Sequence, residues 1–226
     1  MTYGIAEMAV KDHEQFLTKA GETLSNNGKK AEEVFPEHFA RLHFSKFQIE
    51  NTRPARLEMA QARSVDNFLT YISDILTQAI VTRPDLLKTQ EQVTLEEVLS
   101  HSSLEEFVRW AAERRVNQLS FKGLSDIAEY VEKRLGMKLH SSDDDWKSLK
   151  ESVAVRNPTV HRRGVVDERF LWTVKTATAK AGERFPVPIE LLASTMKCTM
   201  RVVRDFDERV AQKFDINRVD THEQAW

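Results

Sequence analysis

Apolar side chains recur every three or four residues along nearly the whole chain, and this period constrains the fold more than any other feature. Only seven glycines occur in 226 residues, and alternating β-branched residues are rare. The sequence therefore predicts an all-α fold, a helical bundle. The clearest apolar stripe consists of Val65, Phe68, Leu69, Ile72, Ile75, Leu76, Ala79 and Ile80.

Prolines, glycines and capping residues predict where the helices begin and end. Pro36 and Pro54 are suited to the first turn of a helix, and Pro84 disfavours helix at the residue before it. Thr94 and Ser103 each precede a glutamate by three residues, as in a capping box. We predict helices over 5–24, from 36 onward, 54–83, 103–119, 124–135, 143–164, 167–182 and 188–210, with stops at 26–28 and at Gly136.

Composition limits the class of protein. Charged residues make up 30% of the chain and hydrophobic residues 41%, which excludes a disordered tail protein. The single cysteine, Cys198, excludes an internal disulfide framework and an all-cysteine metal site. No apolar run approaches the roughly 18 residues of a membrane span, and the first residues do not resemble a signal peptide. We expect a cytoplasmic protein without a membrane partner.

The net charge of −2 conceals an uneven distribution. Residues 1–145 carry 18 Lys and Arg against 24 Asp and Glu, whereas residues 146–226 carry 15 against 11. Ordinary variation along helical surfaces would also produce such a difference. It becomes meaningful only if a specific basic site lies in the second part.

Most motifs that carry chemistry are absent. The chain has no glycine-rich phosphate loop, dinucleotide fingerprint or nucleophile elbow. His38 and His43 are five residues apart, which is the wrong spacing for two metal ligands on one helix face. The acidic run 143–145 precedes a predicted helix, so capping explains it better than cation binding. We expect neither a metal nor a cofactor.

Residues 156–164 differ from the rest of the chain because they combine three arginines, a histidine and an amide. A histidine at the end of a helix favours its charged form and can exchange protons near neutral pH. Arginine suits phosphate oxygens, including those of a transition state. This combination fits RNA cleavage through attack by the 2′-hydroxyl group. A basic helix terminus that only complements the helix dipole explains the same residues equally well.

Geometry raises a difficulty for such a site. Residues five apart on a regular helix differ by about 140° in direction, so Arg156 and His161 would not converge. Pro158 lies between them, removes one amide donor and clashes with the preceding turn. We therefore expect a kink or local loosening at Pro158.

The pattern Arg156-Asn157-x-x-x-His161 resembles the signature of the HEPN superfamily, in which an arginine, a polar residue and three variable positions precede a histidine. Surrounding stretches are similar to the RiboL-PSP-HEPN subgroup, and the similarity covers roughly residues 60–214. These stretches are Val65-Asp66-Asn67-Phe68, 83–88, 93–97, 130–137 and 161–171.

This resemblance implies a HEPN-like bundle that forms a homodimer, with two copies of the motif meeting at the interface. It implies that Arg156 and His161 are catalytic and that Asn157 orients the site. Many such proteins are metal-independent ribonucleases that act as toxins, in phage defence or in RNA processing. We add Arg162 and Arg163 as RNA-binding residues, on charge and proximity alone. The expected partners are an RNA substrate, a second copy of the chain, and an antitoxin or regulatory protein.

The predicted organisation is an N-terminal helical extension over 1–55, a HEPN-like helical domain over 56–214 and a polar tail over 215–226. The extension is outside the resemblance and could serve as packing, a dimerisation arm or a lid. Three functions remain open on these grounds. They are a metal-independent endoribonuclease, a non-catalytic HEPN module that binds RNA, a nucleotide or a protein, and a structural helical interaction protein.

Overall fold

The computed structural model describes residues 2–25, 30–87, 92–175 and 177–217. Within these ranges the regular structure is helical, and the extended pairing is a single isolated bridge between Val165 and Arg184. The all-α prediction is therefore confirmed. The helices are α1 (Thr2–Ser25), α2 (Ala31–Val34), α3 (Pro36–Thr82), α4 (Leu95–Leu99), α5 (Leu104–Lys122), α6 (Leu124–Tyr130), α7 (Asp143–His161), α8 (Glu168–Thr173) and α9 (Ile189–Phe214).

The chain divides into two compact units, Met1–Leu57 and Glu58–Trp226. The N-terminal unit contains α1, α2 and the first part of α3, and it buries Leu17 and Leu42. The boundary predicted from the sequence lies at residue 55. The predicted helix stop at 26–28 and residues 218–226 of the predicted tail lie outside the described residues.

The core of the C-terminal unit is built from one face each of α3, α5, α6, α7 and α9. Periodic apolar residues of these helices are buried because the 3.6-residue turn places them on one side. The Tyr130 hydroxyl donates to the carbonyl of Leu86 at 3.1 Å, which satisfies the polar tip of a buried ring. Fully buried members include Ile72, Leu76, Ile80, Ile127, Leu149 and Phe206.

The predicted break at Pro54 is wrong, since α3 continues through this proline. Proline removes one amide donor and crowds the preceding turn, so carbonyls there need other donors. The Thr52 hydroxyl donates to the carbonyl of Gln48 at 2.6 Å, and the Arg56 guanidinium donates to the carbonyl of Ile49 at 3.1 Å. One long helix therefore replaces the two predicted, and these side chains supply additional donors in the turn before the proline.

The capping box at Thr94 is confirmed in both directions. Its hydroxyl accepts from the amide of Glu97, whose carboxylate accepts from the amide of Thr94 at 2.8 Å. At the second box the Ser103 hydroxyl accepts from the amide of Glu106 at 3.1 Å, as predicted. The Glu106 carboxylate, however, binds the amide of Ser102 rather than that of Ser103.

The ends of the later helices agree with the prediction in part. Gly136 adopts the predicted left-handed conformation, after a π-helical turn over Val131–Leu135. The Asp167 carboxylate caps α8 by accepting from the amide of Phe170 at 2.9 Å. The predicted extension of this helix to Gly182 is wrong. The chain turns back after α8, and the amide of Gly182 donates to the carbonyl of Val166 at 2.8 Å.

The start of α7 also differs in detail from the prediction. Ser142 is the N-cap, and its hydroxyl accepts from the amide of Asp145 at 3.1 Å. Asp145 itself is buried and forms an ion pair with Arg201 of α9. None of the described helices carries an apolar stretch long enough to cross a bilayer.

Candidate functional site

Helix α7 carries the motif and is anchored at both ends. Its N-terminus is capped by Ser142, and its buried face includes Leu149 and Val155. The helix ends after His161, where the carbonyl of Pro158 accepts from the amide of Arg162 at 2.8 Å and from that of Gly164 at 2.9 Å. The motif therefore lies on the last two turns of a packed helix.

Arg156 and His161 are in contact. The Nη1 atom of Arg156 lies 3.2 Å from Nε2 of His161, although their backbone positions differ by about 140° around the helix. Pro158 is buried, and α7 includes it without a break in its bounds. The expected loosening at Pro158 is therefore not needed, because the long arginine side chain spans the angular difference.

Asp66 of α3, for which no role is predicted from the sequence, holds the other side of the Arg156 guanidinium. The Nε atom of Arg156 donates to Oδ1 of Asp66 at 2.8 Å, across 90 positions in the sequence. The arginine side chain is 23% exposed and the aspartate side chain 37% exposed. A carboxylate directly after buried Val65, at the edge of the apolar stripe, was the signal available in the sequence.

Asn157 is exposed beside the pair. Its Oδ1 atom accepts from Nη1 of Arg156 at 3.4 Å, so the guanidinium contacts three side chains of the site. His161 is also exposed. The pair therefore combines an anchored cation with a solvent-exposed histidine.

The two added arginines occupy different environments. Arg162 ends α7, and its guanidinium donates to the Asp167 carboxylate at 2.5 Å, so its charge is matched by a neighbour. Arg163 is exposed and has a positive φ of 54°, which few side chains adopt. Gly164 follows with a φ of 80°, where a Cβ atom would lie 3.2 Å from the side chain of Arg184.

A cleft of about 630 Å³ lies beside the motif. One wall is α7 with Asn157 and His161, and the others come from the α5–α6 junction and from α8. Basic residues that line it outnumber acidic ones: Lys122, Lys150, Arg162 and Arg169 stand against Asp126 and Asp167. This local excess favours an anionic ligand in a protein whose overall charge is slightly negative.

A second cavity, of about 500 Å³, lies between α3 and α9. Its lining is mostly apolar, with Tyr71, Met196 and Met200 among its residues. None of the motif residues lines it. The cleft beside His161 is therefore the cavity in which the motif can act chemically.

The described residues contain no group of three or more His, Cys, Asp or Glu side chains arranged to hold a metal ion. No protein-family model matches the chain, and no curated protein or solved structure matches it. The HEPN assignment therefore stays a prediction from the motif and its surroundings.

Proposed function

We propose that this protein is a metal-independent endoribonuclease of the HEPN type, acting in the cytoplasm as a toxin or phage-defence effector. The observation that supports it is the 3.2 Å contact between Arg156 and His161 at a basic cleft. Histidine and arginine are sufficient for this chemistry, because it needs proton transfer and charge stabilisation at phosphorus.

In the proposed reaction the 2′-oxygen of RNA bonds to the adjacent phosphorus while the bond from phosphorus to the 5′-oxygen breaks. A base accepts the proton of the 2′-hydroxyl, and an acid delivers a proton to the departing 5′-oxygen. His161 performs one of these transfers, and Arg156 stabilises the charge that develops on the phosphoryl oxygens. Asn157 orients the pair. The products are a 2′,3′-cyclic phosphate end and a free 5′-hydroxyl.

One histidine cannot be base and acid in the same step. A homodimer that brings two copies of α7 together would supply the second histidine, and a two-fold axis makes the copies equivalent. An antitoxin or regulatory protein would restrain such an activity in the cell. The homodimer and the antitoxin or regulatory protein are thus both part of the proposed function.

The test is cleavage of RNA by the purified protein in EDTA. We expect 2′,3′-cyclic phosphate products, and we expect His161→Ala to lower the rate at least about a hundredfold, the usual contribution of a positioned proton donor or acceptor. The matched control is His43→Ala, an exposed histidine of the N-terminal unit, which should retain activity. A substrate with 2′-deoxyribose at the cleavage position should not be cleaved, because it lacks the attacking 2′-hydroxyl group.

Undiminished cleavage by His161→Ala would refute the assignment. RNA binding without turnover would instead indicate the alternative, a HEPN module that binds through the same cleft and does not cut.

A further inference from the structure

Helix α4 has its apolar side turned toward water. Leu95 and Leu99 are 72% and 73% exposed, and Val98 is 36% exposed. These three residues, which we call the α4 face, lie within an arc of about 100°, since each residue advances a helix by about 100°. No residue of α4 is buried. Apolar side chains in water are unfavourable, and an exposed apolar face with a polar rim is typical of a surface that binds another protein.

The polar side of α4 faces the rest of the protein instead. Glu97 lies about 160° from both leucines around the helix, and it is the one residue of α4 that is partly buried. Its carboxylate accepts from Nη1 of Arg114 on α5 at 2.6 Å. Helix α4 is therefore amphipathic, with its apolar side outward.

This orientation is held without burial of an apolar side chain. A helix of five residues is not stable by itself in water. The capping box between Thr94 and Glu97 and the ion pair between Glu97 and Arg114 keep α4 in place. The α4 face is thus presented in a fixed conformation, which lowers the entropy cost of binding a partner.

The charge around the α4 face is negative. Residues 93–108 contain four glutamates and no lysine or arginine. Glu96 lies about 60° from Leu99 around the helix, at the edge of the α4 face. Glu96 and Glu105 are exposed and make no ion pair with a described residue. Because like charges repel, a symmetric contact between two copies of this face and a contact with RNA are both unfavourable.

We infer that the α4 face binds an amphipathic helix of a partner protein, with apolar side chains packed on the face and lysine or arginine next to Glu96. Two helices pack through side chains spaced three and four positions apart, which is the spacing of the α4 face. A face of three side chains supports a transient contact. The inference does not rest on the proposed function, since no residue of α4 lines the cleft beside His161.

The test is binding of designed peptides to the full-length protein, measured by fluorescence anisotropy. The basic peptide is a helix of about five turns with leucines at positions i, i+3, i+4 and i+7 and lysines beside them. A scrambled peptide has the same composition, and an acidic peptide has glutamate in place of lysine. We expect the basic peptide to bind at least about tenfold more tightly than either of the others.

Substitutions locate the bound peptide. Leu99→Ser should weaken the basic peptide at least about tenfold, the usual loss for an anchoring residue. Glu96→Lys should weaken the basic peptide and strengthen the acidic one, each at least about fivefold, and a merely destabilised protein would not show this reversal. Met200→Ser, which removes an exposed apolar side chain of α9, is the matched control and should change nothing. Urea titrations should show unaltered unfolding of Leu99→Ser, because its position is exposed.

Equal affinity for the three peptides, or basic-peptide affinity that neither Leu99→Ser nor Glu96→Lys changes, would overturn the inference. Weaker self-association of Leu99→Ser in sedimentation would assign the face to a second copy of the chain, and weaker RNA binding would assign it to nucleic acid. Either result would also overturn it. Peptide binding by a protein that does not cleave RNA would leave the inference standing, and cleavage without peptide binding would refute the inference alone.

Discussion

At the scale of single residues, Asp66 binds one side of the Arg156 guanidinium. Its carboxylate accepts from Nε of Arg156 at 2.8 Å, which leaves the Nη1 atom directed at His161. Under the proposed ribonuclease function, we expect Asp66→Asn to lower kcat for RNA cleavage about tenfold to a hundredfold with little change in KM, because positioning acts mainly in the transition state. Steady-state kinetics at several RNA concentrations measure the two parameters.

The stability of Asp66→Asn should change little, since an ion pair between partly exposed groups contributes about 0–1 kcal/mol to folding. Asp66→Glu should restore part of kcat. Asp74→Asn, an exposed carboxylate two turns further along α3, is the control. A variant Asp66→Asn with unaltered kcat would show that Arg156 needs no support from α3.

At the scale of elements, α7 and α9 are joined by an ion pair between a buried carboxylate and a largely exposed arginine. The Asp145 side chain is 8% exposed, and the guanidinium of Arg201 donates to it. This hydrogen bond is the main reason that the pKa of Asp145 is lowered, with a further contribution from the Ser142 hydroxyl, while burial acts in the opposite direction. The charged carboxylate is therefore part of the helix packing that holds the motif helix in place.

A lowered pKa in the folded protein makes this contribution depend on pH. It is fully present above the pKa of Asp in the unfolded chain, about 3.9, and is lost as the pH falls through the lower folded value. Asp145→Asn should reduce the free energy of unfolding at pH 7 by about 1–3 kcal/mol. Urea titrations should show that the difference from the unmodified protein shrinks below about pH 4.

The matched control is Asp143→Asn, an exposed carboxylate in the same helical turn, which should leave the free energy of unfolding almost unchanged. If Asp145→Asn lowers the free energy of unfolding by as much at pH 3 as at pH 7, the ionised pair does not have this role.

At the scale of the whole molecule, Cys198 reports on the integrity of the C-terminal unit. It is the single cysteine of the chain, it is 3% exposed, and it belongs to the core cluster. Burial raises the pKa of its thiol, and the nearby Asp145 carboxylate raises it further. Because the thiolate is the reactive form, the folded protein should react with a thiol reagent at least about a hundredfold more slowly than the unfolded protein.

In a urea titration, the midpoint of thiol labelling should coincide with the loss of helical circular dichroism from the C-terminal unit. Cys198→Ala should show no labelling. Rapid labelling in the absence of urea would mean that the core around α9 opens without global unfolding.

The helices could be predicted because their signals are local. The caps at Thr94 and Asp167 depend on residues three positions away, and both form as predicted. The predictions at Pro54 and Gly182 are wrong because proline and glycine only favour a helix end, and the surrounding structure decides whether the helix stops there. Helix α3 continues through Pro54, with the side chains of Thr52 and Arg56 donating to carbonyls of the preceding turn, and the turn at Gly182 pairs with the segment that follows the motif.

The residues of the candidate site also fall into two groups, those that a local pattern predicts and those that only helix packing brings together. Arg156, Asn157 and His161 lie within six consecutive residues, so one pattern in the sequence identifies them. Asp66 lies 90 positions away from Arg156, and no periodicity relates the two. The cleft also combines residues from 122 to 173, and this grouping follows from how α5, α6, α7 and α8 pack.

The sequence by itself determined the helical class, most of the helix ends and the motif, because helices form through contacts three and four residues apart. The tertiary structure alone decided that Asp66 anchors Arg156, that Asp145 joins α7 to α9, and that α5, α6, α7 and α8 form a basic cleft. Those contacts connect positions far apart in the chain. They exist because burying the apolar stripes brings the helices together, and the polar residues at the stripe edges then meet.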